Sequence, residues 1–230
     1  MMGVGTLARV ALYWAPALDD PLHALGSRWL GRDAETGARL PQPPAADLDL
    51  QALTEDPRRY GLHATLKPPF HMTRSYAAMR ADAASLAARI APFDLPPLEL
   101  ASLGGFLALR EAAPCPALHA LADACVSGMD GHRRAPDMAE IIRRRPERLS
   151  PAEQENLRLW GYPHVFAEWR FHVTLTRRLT PEQDAVLRPA ALAFLGEAAA
   201  RPRRVSDICL FTQAAPGEPF LLAERLPLGG

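Results

Sequence analysis

Lysine is nearly missing from this chain: Lys67 stands alone, and the rest of the 26 basic residues are arginine. Cysteine is scarce too. Cys115, Cys125 and Cys209 are odd in number and form no CxxC pair, which excludes a disulfide framework and a cysteine zinc site. Set among apolar neighbours, they read as small buried hydrophobes of a reduced compartment, so a cytoplasmic protein is expected. No apolar run approaches the length of a transmembrane helix, and no membrane partner is expected. The segment from Val10 to Leu18 has only Arg9 as an upstream charge and reads as a strand rather than a signal peptide. Net charge is also lacking, since 26 acidic residues cancel 26 basic ones. That balance removes any global field for nucleic acid or membrane, so an anion site must be local. What remains is ordinary globular material, 48% hydrophobic and 23% charged over 230 residues, enough for one large domain or two small lobes.

The patterning predicts mixed structure. Residues 9–14 have strand composition and end before Pro16. The segment 31–59 is polar and proline-containing, a long loop around a short helix. Leu62 to Leu66 forms a short strand that Pro68 and Pro69 should stop. Helices are expected from Ser75 to Ile90 and from Pro116 to Met129, with extended character from Leu98 to Leu109 around Gly104 and Gly105. Ser150-Pro151-Ala152-Glu153 and Thr180-Pro181-Glu182-Gln183 are capping boxes, opening helices to about Trp160 and about Ala200. Phe171 to Leu175 is another strand, and Val205 to Thr212 and Phe220 to Leu226 are two more, joined by a turn at Pro216-Gly217. The basic stretch from Arg133 to Arg148 is the candidate mobile segment or lid. The order strand, helix, extended segments thus occurs twice, from 62 to 109 and from 171 to 226. Without regular βαβ spacing this favours α+β over a doubly wound sheet.

Two segments carry the chemistry, Leu62-His63-Ala64-Thr65-Leu66 and Phe171-His172-Val173-Thr174-Leu175. In a strand, alternate side chains share a face, so each segment buries its apolar residues and sets His and Thr side by side on the other face. An imidazole can take or give a proton near neutral pH, and a nearby hydroxyl can donate to a phosphoryl oxygen. Seven histidines and nine threonines in this length would give about 0.3 His-x-Thr triplets by chance if periodicity played no part. Three are present. The third, His71-Met72-Thr73, lacks the apolar alternation and reads as a loop or helix entry. The bland alternative for the other two is a pair of amphipathic strands with solvated His and Thr.

Paired His-x-Thr strands about a hundred residues apart resemble the two-histidine phosphoesterase superfamily, which includes bacterial RNA 2′,3′-cyclic phosphodiesterases. More closely, Tyr60-Gly61-Leu62-His63-Ala64-Thr65-Leu66-Lys67-Pro68-Pro69-Phe70 is similar to the first motif of a branch encoded with carbon–phosphorus lyase genes and labelled as phosphonate-metabolism proteins. Gly26-Ser27-Arg28-Trp29-Leu30-Gly31-Arg32-Asp33 and Trp160-Gly161-Tyr162-Pro163 are similar to that branch as well. The resemblance implies a bilobal α+β fold across 1–230, two pseudo-symmetric sheet-plus-helix lobes around a central cleft. It also implies catalytic roles for His63, Thr65, His172 and Thr174, with no metal and no cofactor. No motif residue identifies the substrate.

Around this core, Lys67 would share the face of His63 and Thr65 if the strand persisted, as a compact ammonium contacting phosphate; chance retention of one lysine is the alternative. Arg177 and Arg178 follow the second motif, as phosphate contacts or as strand-end charges. Tyr13 and Tyr60 are candidate walls of the site, with a core role as the alternative. His164 could line the cleft, whereas His23, His119 and His132 read as surface or core fillers. The function expected is metal-independent hydrolysis of a small cyclic phosphodiester, such as a ribose cyclic phosphate of phosphonate metabolism, by a monomer acting on a small phosphorylated substrate. The alternatives are an RNA or nucleotide 2′,3′-cyclic phosphodiesterase and a non-catalytic phosphometabolite binder. A metal site is disfavoured because no third ligand stands at a convincing spacing.

Overall fold

Alternation along Arg9–Trp14 makes a strand, β1, that is buried on both faces. Val10, Leu12 and Trp14 enter the main core beside Leu22, Met79, Leu118 and Leu187 of the helices. Ala11 and Tyr13 point the other way, into a smaller cluster with Cys209, Phe211 and Phe220. In the computed structural model, which describes residues 9–230, the remaining strands are β2 (Ala64–His71), β3 (Phe93–Leu95), β4 (Leu98–Leu103), β5 (Phe106–Glu111), β6 (Val173–Thr174), β7 (Arg203–Val205), β8 (Asp207–Gln213) and β9 (Leu221–Pro227). The helices are α1 (Pro21–Leu30), α2 (Leu50–Leu53), α3 (Glu55–Tyr60), α4 (Tyr76–Ala87), α5 (Pro116–Gly128), α6 (Met138–Arg143), α7 (Pro151–Trp160) and α8 (Pro181–Ala199). Seven strands form one sheet in the order β4-β5-β6-β2-β1-β8-β9, and β3 pairs with β7 apart from it. Every pairing is antiparallel, so the fold is α+β as its patterning predicts.

The repeated order of elements becomes a two-fold relation in space. Ala64 pairs with Val173, and Asp94 pairs with Arg204, so residues at matching places in the two halves face each other. The halves are interlaced rather than side by side. β6 lies between β5 and β2, and β8 lies beside β1, so neither half holds an uninterrupted sheet. The helices exchange as well: α4 packs on β9, and α8 packs on β4 and β5. Two tryptophans brace this exchange with matching bonds. Trp29 Nε1 donates to Leu175 O at 3.1 Å, and Trp169 Nε1 donates to Thr65 O at 2.8 Å, each reaching from one half to the motif of the other.

Both capping boxes form as the sequence predicts, and a third, Asp137 with Glu140, opens α6 inside the basic segment 133–148. Helix α1 goes beyond the sequence reading, although its punctuation is plain. Asp20 caps Leu22 N, Pro21 takes the first turn, and Gly31 closes the helix at φ 80°.

β2 departs from expectation, because it runs through Pro68 and Pro69 instead of stopping there. Two register shifts against β1 explain how. Val10 faces Phe70, Leu12 faces Lys67 and Tyr13 faces Thr65, so β2 carries an extra residue in each interval. Beyond Ala64 no described strand pairs with the other edge of β2, so the missing proline N–H groups break no ladder there.

Candidate active site

The two motifs meet at the middle of the sheet. Continuing the Ala64–Val173 register by one residue each way sets His63 opposite Thr174 and Thr65 opposite His172. All four side chains then share one face as a crossed quartet, with each histidine beside the other motif's threonine. The two histidines are diagonal neighbours across the pair, a relation that separates side chains by about 7–8 Å.

Each imidazole is oriented by the same device. His63 Nδ1 lies 2.9 Å from Gly61 O, and His172 Nδ1 lies 2.9 Å from Arg170 O. A carbonyl can only accept, so the proton sits on Nδ1 and Nε2 keeps its lone pair for the cleft. For the first motif this bond requires a glycine. Gly61 has φ 78°, and a Cβ there would come within 2.4 Å of Ala34 Cβ.

His63 is the more enclosed of the pair. The Tyr13 ring stacks on it at 3.9 Å, with Tyr60 at 5.8 Å and Phe211 at 6.1 Å. Burial in this aromatic box, opposed by the Gly61 bond and aided by the nearby His172, lowers its pKa from 6.5 to about 4. His172 is also lowered by burial, with Arg170 O opposing. Its ring neighbour is Phe106 at 5.9 Å. Burial drives the Tyr13 hydroxyl far above its ordinary range, so Tyr13 stays neutral.

The histidines look onto two adjoining cavities. One, of 310 Å³, is lined by Tyr13, Tyr60, His63, Thr65, Thr174 and Arg177 among others. The other, of 400 Å³, is lined by Thr65, Phe106, Tyr162, His164, Trp169 and His172 among others. Thr65, Phe106 and Tyr162 belong to both, so the two form one cleft. Tyr13, Tyr60, Arg177, Arg178 and His164 therefore stand at the cleft wall. His164 also lies 3.1 Å from Glu153.

Lys67 does not stand there, and its expected place beside His63 and Thr65 is corrected. The register shift between Thr65 and Lys67 breaks the alternation, so Leu66 and Lys67 are both buried. The ammonium donates to Val126 O at 3.0 Å near the end of α5 and lies 3.5 Å from Asp130. Burial lowers its pKa to about 8, with Asp130 opposing. A cation at the last carbonyls of α5 completes that helix end.

His71 and Thr73 lie outside the quartet, at the end of β2 and just beyond it. His132 is buried and pairs with Asp82 at 2.8 Å, while His119 packs edge-on against Trp169. The sequence reading missed Phe106, Tyr162 and Thr176, as well as Arg9 and Arg144. Tyr162 had a signal, as part of the Trp160-Gly161-Tyr162-Pro163 segment. Arg9 and Arg144 had none, in a chain where arginine is everywhere. Among the described residues no group of three His, Cys, Asp or Glu side chains converges to hold a metal ion, and no helix is long and apolar enough to cross a membrane.

Comparison with known proteins adds three findings. Residues 65–221 match the family model described as "Protein of unknown function (DUF1045)". The chain is 32% identical over 234 residues to the ribose 1,5-bisphosphate phosphokinase PhnN of Janthinobacterium sp. (strain Marseille), covering 98% of this chain and 52% of that protein. It is 36% identical over 221 residues to the protein of the same name from Laribacter hongkongensis (strain HLHK9), covering 93% of this chain and 50% of that one. The chain thus spans about half the length of these curated relatives. Among solved structures, a phosphoesterase aligns over 97% of this chain and 99% of its own at 15% identity and TM-score 0.47. E. coli LigT in apo form aligns over 98% and 100% at 14% identity and TM-score 0.48.

Proposed function

From the premise that the chain belongs to the DUF1045 family, and from its crossed quartet, we propose that it is a phosphodiesterase that opens a small cyclic phosphodiester by acid–base catalysis between His63 and His172. One observation carries this reading: two imidazoles on one face, each with Nδ1 tied to a carbonyl and Nε2 left open, and each beside a threonine hydroxyl. In the step, water attacks phosphorus, one P–O bond of the ring breaks, and a phosphomonoester and a free sugar hydroxyl result. One histidine takes the proton of the water and the other gives a proton to the departing oxygen. Thr65 and Thr174 donate to the non-bridging oxygens, where charge is held as the bond breaks.

The surroundings support a division of roles. His63, enclosed by aromatic rings, resists protonation and is the base. His172, less depressed, takes the proton that an anionic substrate draws in and is the acid. The ribose in the relatives' name favours a ribose cyclic phosphate as substrate. Phosphoryl transfer from a nucleotide is the other activity that name raises. A P-loop kinase needs a lysine between Gly and Ser or Thr, and the one lysine here lies between Leu66 and Pro68. The kinase activity in that name is therefore not carried over to this chain, which spans about half the length of the relatives.

The test is initial rate on a panel of cyclic phosphates for the wild type, His63→Ala, His172→Ala and the double variant. Each single change should cost on the order of 10²–10⁴-fold in kcat. The double change should add little, because the pair acts as a unit. A His63→Ala protein that turns over the best substrate at the wild-type rate would overturn the acid–base reading, whereas a wild type that turns over none of the panel would leave the metabolite-binding reading in its place.

A further inference from the structure

A third cavity opens from the cleft. It measures 250 Å³, and its charged lining residues are Arg9, Arg133, Arg134, Arg143, Arg144 and Glu140. A chain with no net charge gathers five guanidinium groups against one carboxylate here. Two of them are compensated, Arg133 by Asp130 at 2.8 Å and Arg134 by Glu140 at 3.0 Å. Among the described residues, Arg9, Arg143 and Arg144 make no ion pair. Arg9 instead donates to Gln213 at 2.7 Å and lies over the Phe220 ring, and Arg144 lies over the Tyr162 ring at 4.6 Å. Stacking on aromatic faces holds a guanidinium in place without using up its N–H fork, which matches a phosphate in shape.

The basic cavity is continuous with the cleft. Arg9, Tyr60, Pro69 and Arg144 line both. β2 supplies the scale, since it carries Thr65 in the cleft and Pro69, Phe70 and His71 in the basic cavity. Four strand residues span at most about 13 Å, and the two register shifts shorten that distance. One small molecule can therefore occupy both places. An RNA strand would need a basic track that leads onward past the terminal nucleotide, whereas this cavity suits a single terminal anion.

We infer that the arginine cavity receives a phosphomonoester carried by the same sugar whose cyclic phosphodiester lies between the histidines, so that the substrate is a doubly phosphorylated sugar. The inference rests on the phosphodiesterase reading, and it adds a specificity determinant to it. Arg143 and Arg144 are the selecting residues, both exposed and free to be replaced without disturbing the core.

The experiment compares three probes: ribose 1,2-cyclic phosphate, the same compound carrying a 5-phosphate, and a tetranucleotide ending in a 2′,3′-cyclic phosphate. The 5-phosphate should raise kcat/KM on the order of 100-fold, the gain expected from two charge-assisted hydrogen bonds. Arg143→Ala with Arg144→Ala should collapse that ratio at least about ten-fold, chiefly through KM, with an unchanged thermal midpoint. A wild-type ratio near one, or a preference for the tetranucleotide, overturns the inference. If no probe is turned over, the phosphodiesterase reading fails by itself, and calorimetric titration with ribose 5-phosphate decides the cavity. Binding to the wild type that is lost in the double variant supports it; equal binding, or none to either, refutes it.

Discussion

Replacing His63 by glutamine removes one titrating group, and the size of its signature follows from its surroundings. Burial against Tyr13 and its aromatic neighbours, with His172 close by, brings the folded-state pKa to about 4. In the unfolded chain the ring returns to about 6.5. Between those values the unfolded state binds a proton that the folded state refuses. Stability therefore rises with pH through this window and falls as pH drops from about 6.5 towards about 4. A gap of roughly 2.5 pH units corresponds to about 3 kcal/mol in full. At about pH 4.5 some 2 kcal/mol of it should be developed, since solvent reaches the ring from the cleft and screens it. The assay is urea unfolding of wild type and His63→Gln at about pH 7 and about pH 4.5. Groups other than His63 act alike in both proteins and cancel in the comparison. Going to the lower pH, the wild type should lose about 2 kcal/mol more than the variant. The His63 Hε1 resonance gives a second readout and should titrate near pH 4. Equal losses in the two proteins, or a midpoint near 6.5, would refute the argument that aromatic burial sets this histidine's proton affinity.

The same environment sets the rate profile: the acid limb of kcat/KM should lie near pH 4, where His63 gains its proton, and the optimum should fall on the acid side of neutrality, because His172 is lowered too; an optimum above about pH 8 would contradict both assignments. Lys67→Met should leave turnover of the best cyclic phosphate within about two-fold of wild type, because the ammonium contacts Val126 O and Asp130 and not the cleft. Its stability should change by no more than about 1 kcal/mol in urea unfolding, since Asp130 keeps its bond to Arg133 and the methionine fills similar space. A large rise in KM with unchanged stability would put Lys67 back at the phosphate.

The quartet was legible because two independent rules converge on it. Alternation along a strand sets His and Thr on one face, and the matching position of the two segments in a duplicated order lets them pair at Ala64 and Val173. Capping boxes at Ser150 and Thr180 were equally local and equally readable. What failed was an extrapolation by one residue. Alternation carried from Thr65 to Lys67 assumes an unbroken ladder, and a register shift written in the pairing with β1 reverses the face. No residue type marks such a shift unambiguously, although two consecutive prolines in a strand are a hint that the ladder must accommodate something. Tyr13, by contrast, could be nominated but not weighed. Its stacking on His63 depends on β1 lying beside β2, a contact made across some fifty residues of sequence.

Interlacing has a consequence for how this molecule comes into being. A nascent chain that has emerged as far as β5 owns one of the two motif histidines and most of one wall, yet β5 and β2 are still parted by the gap that β6 must fill. The surroundings of His63 cannot be completed before β6 brings His172 and Thr174. Loop closure over that separation is costly and comes late, so the sheet should assemble in one concerted step rather than lobe by lobe. The two motif histidines and the strands that hold them then stand or fall together, and a chain truncated before β6 would not assemble the quartet.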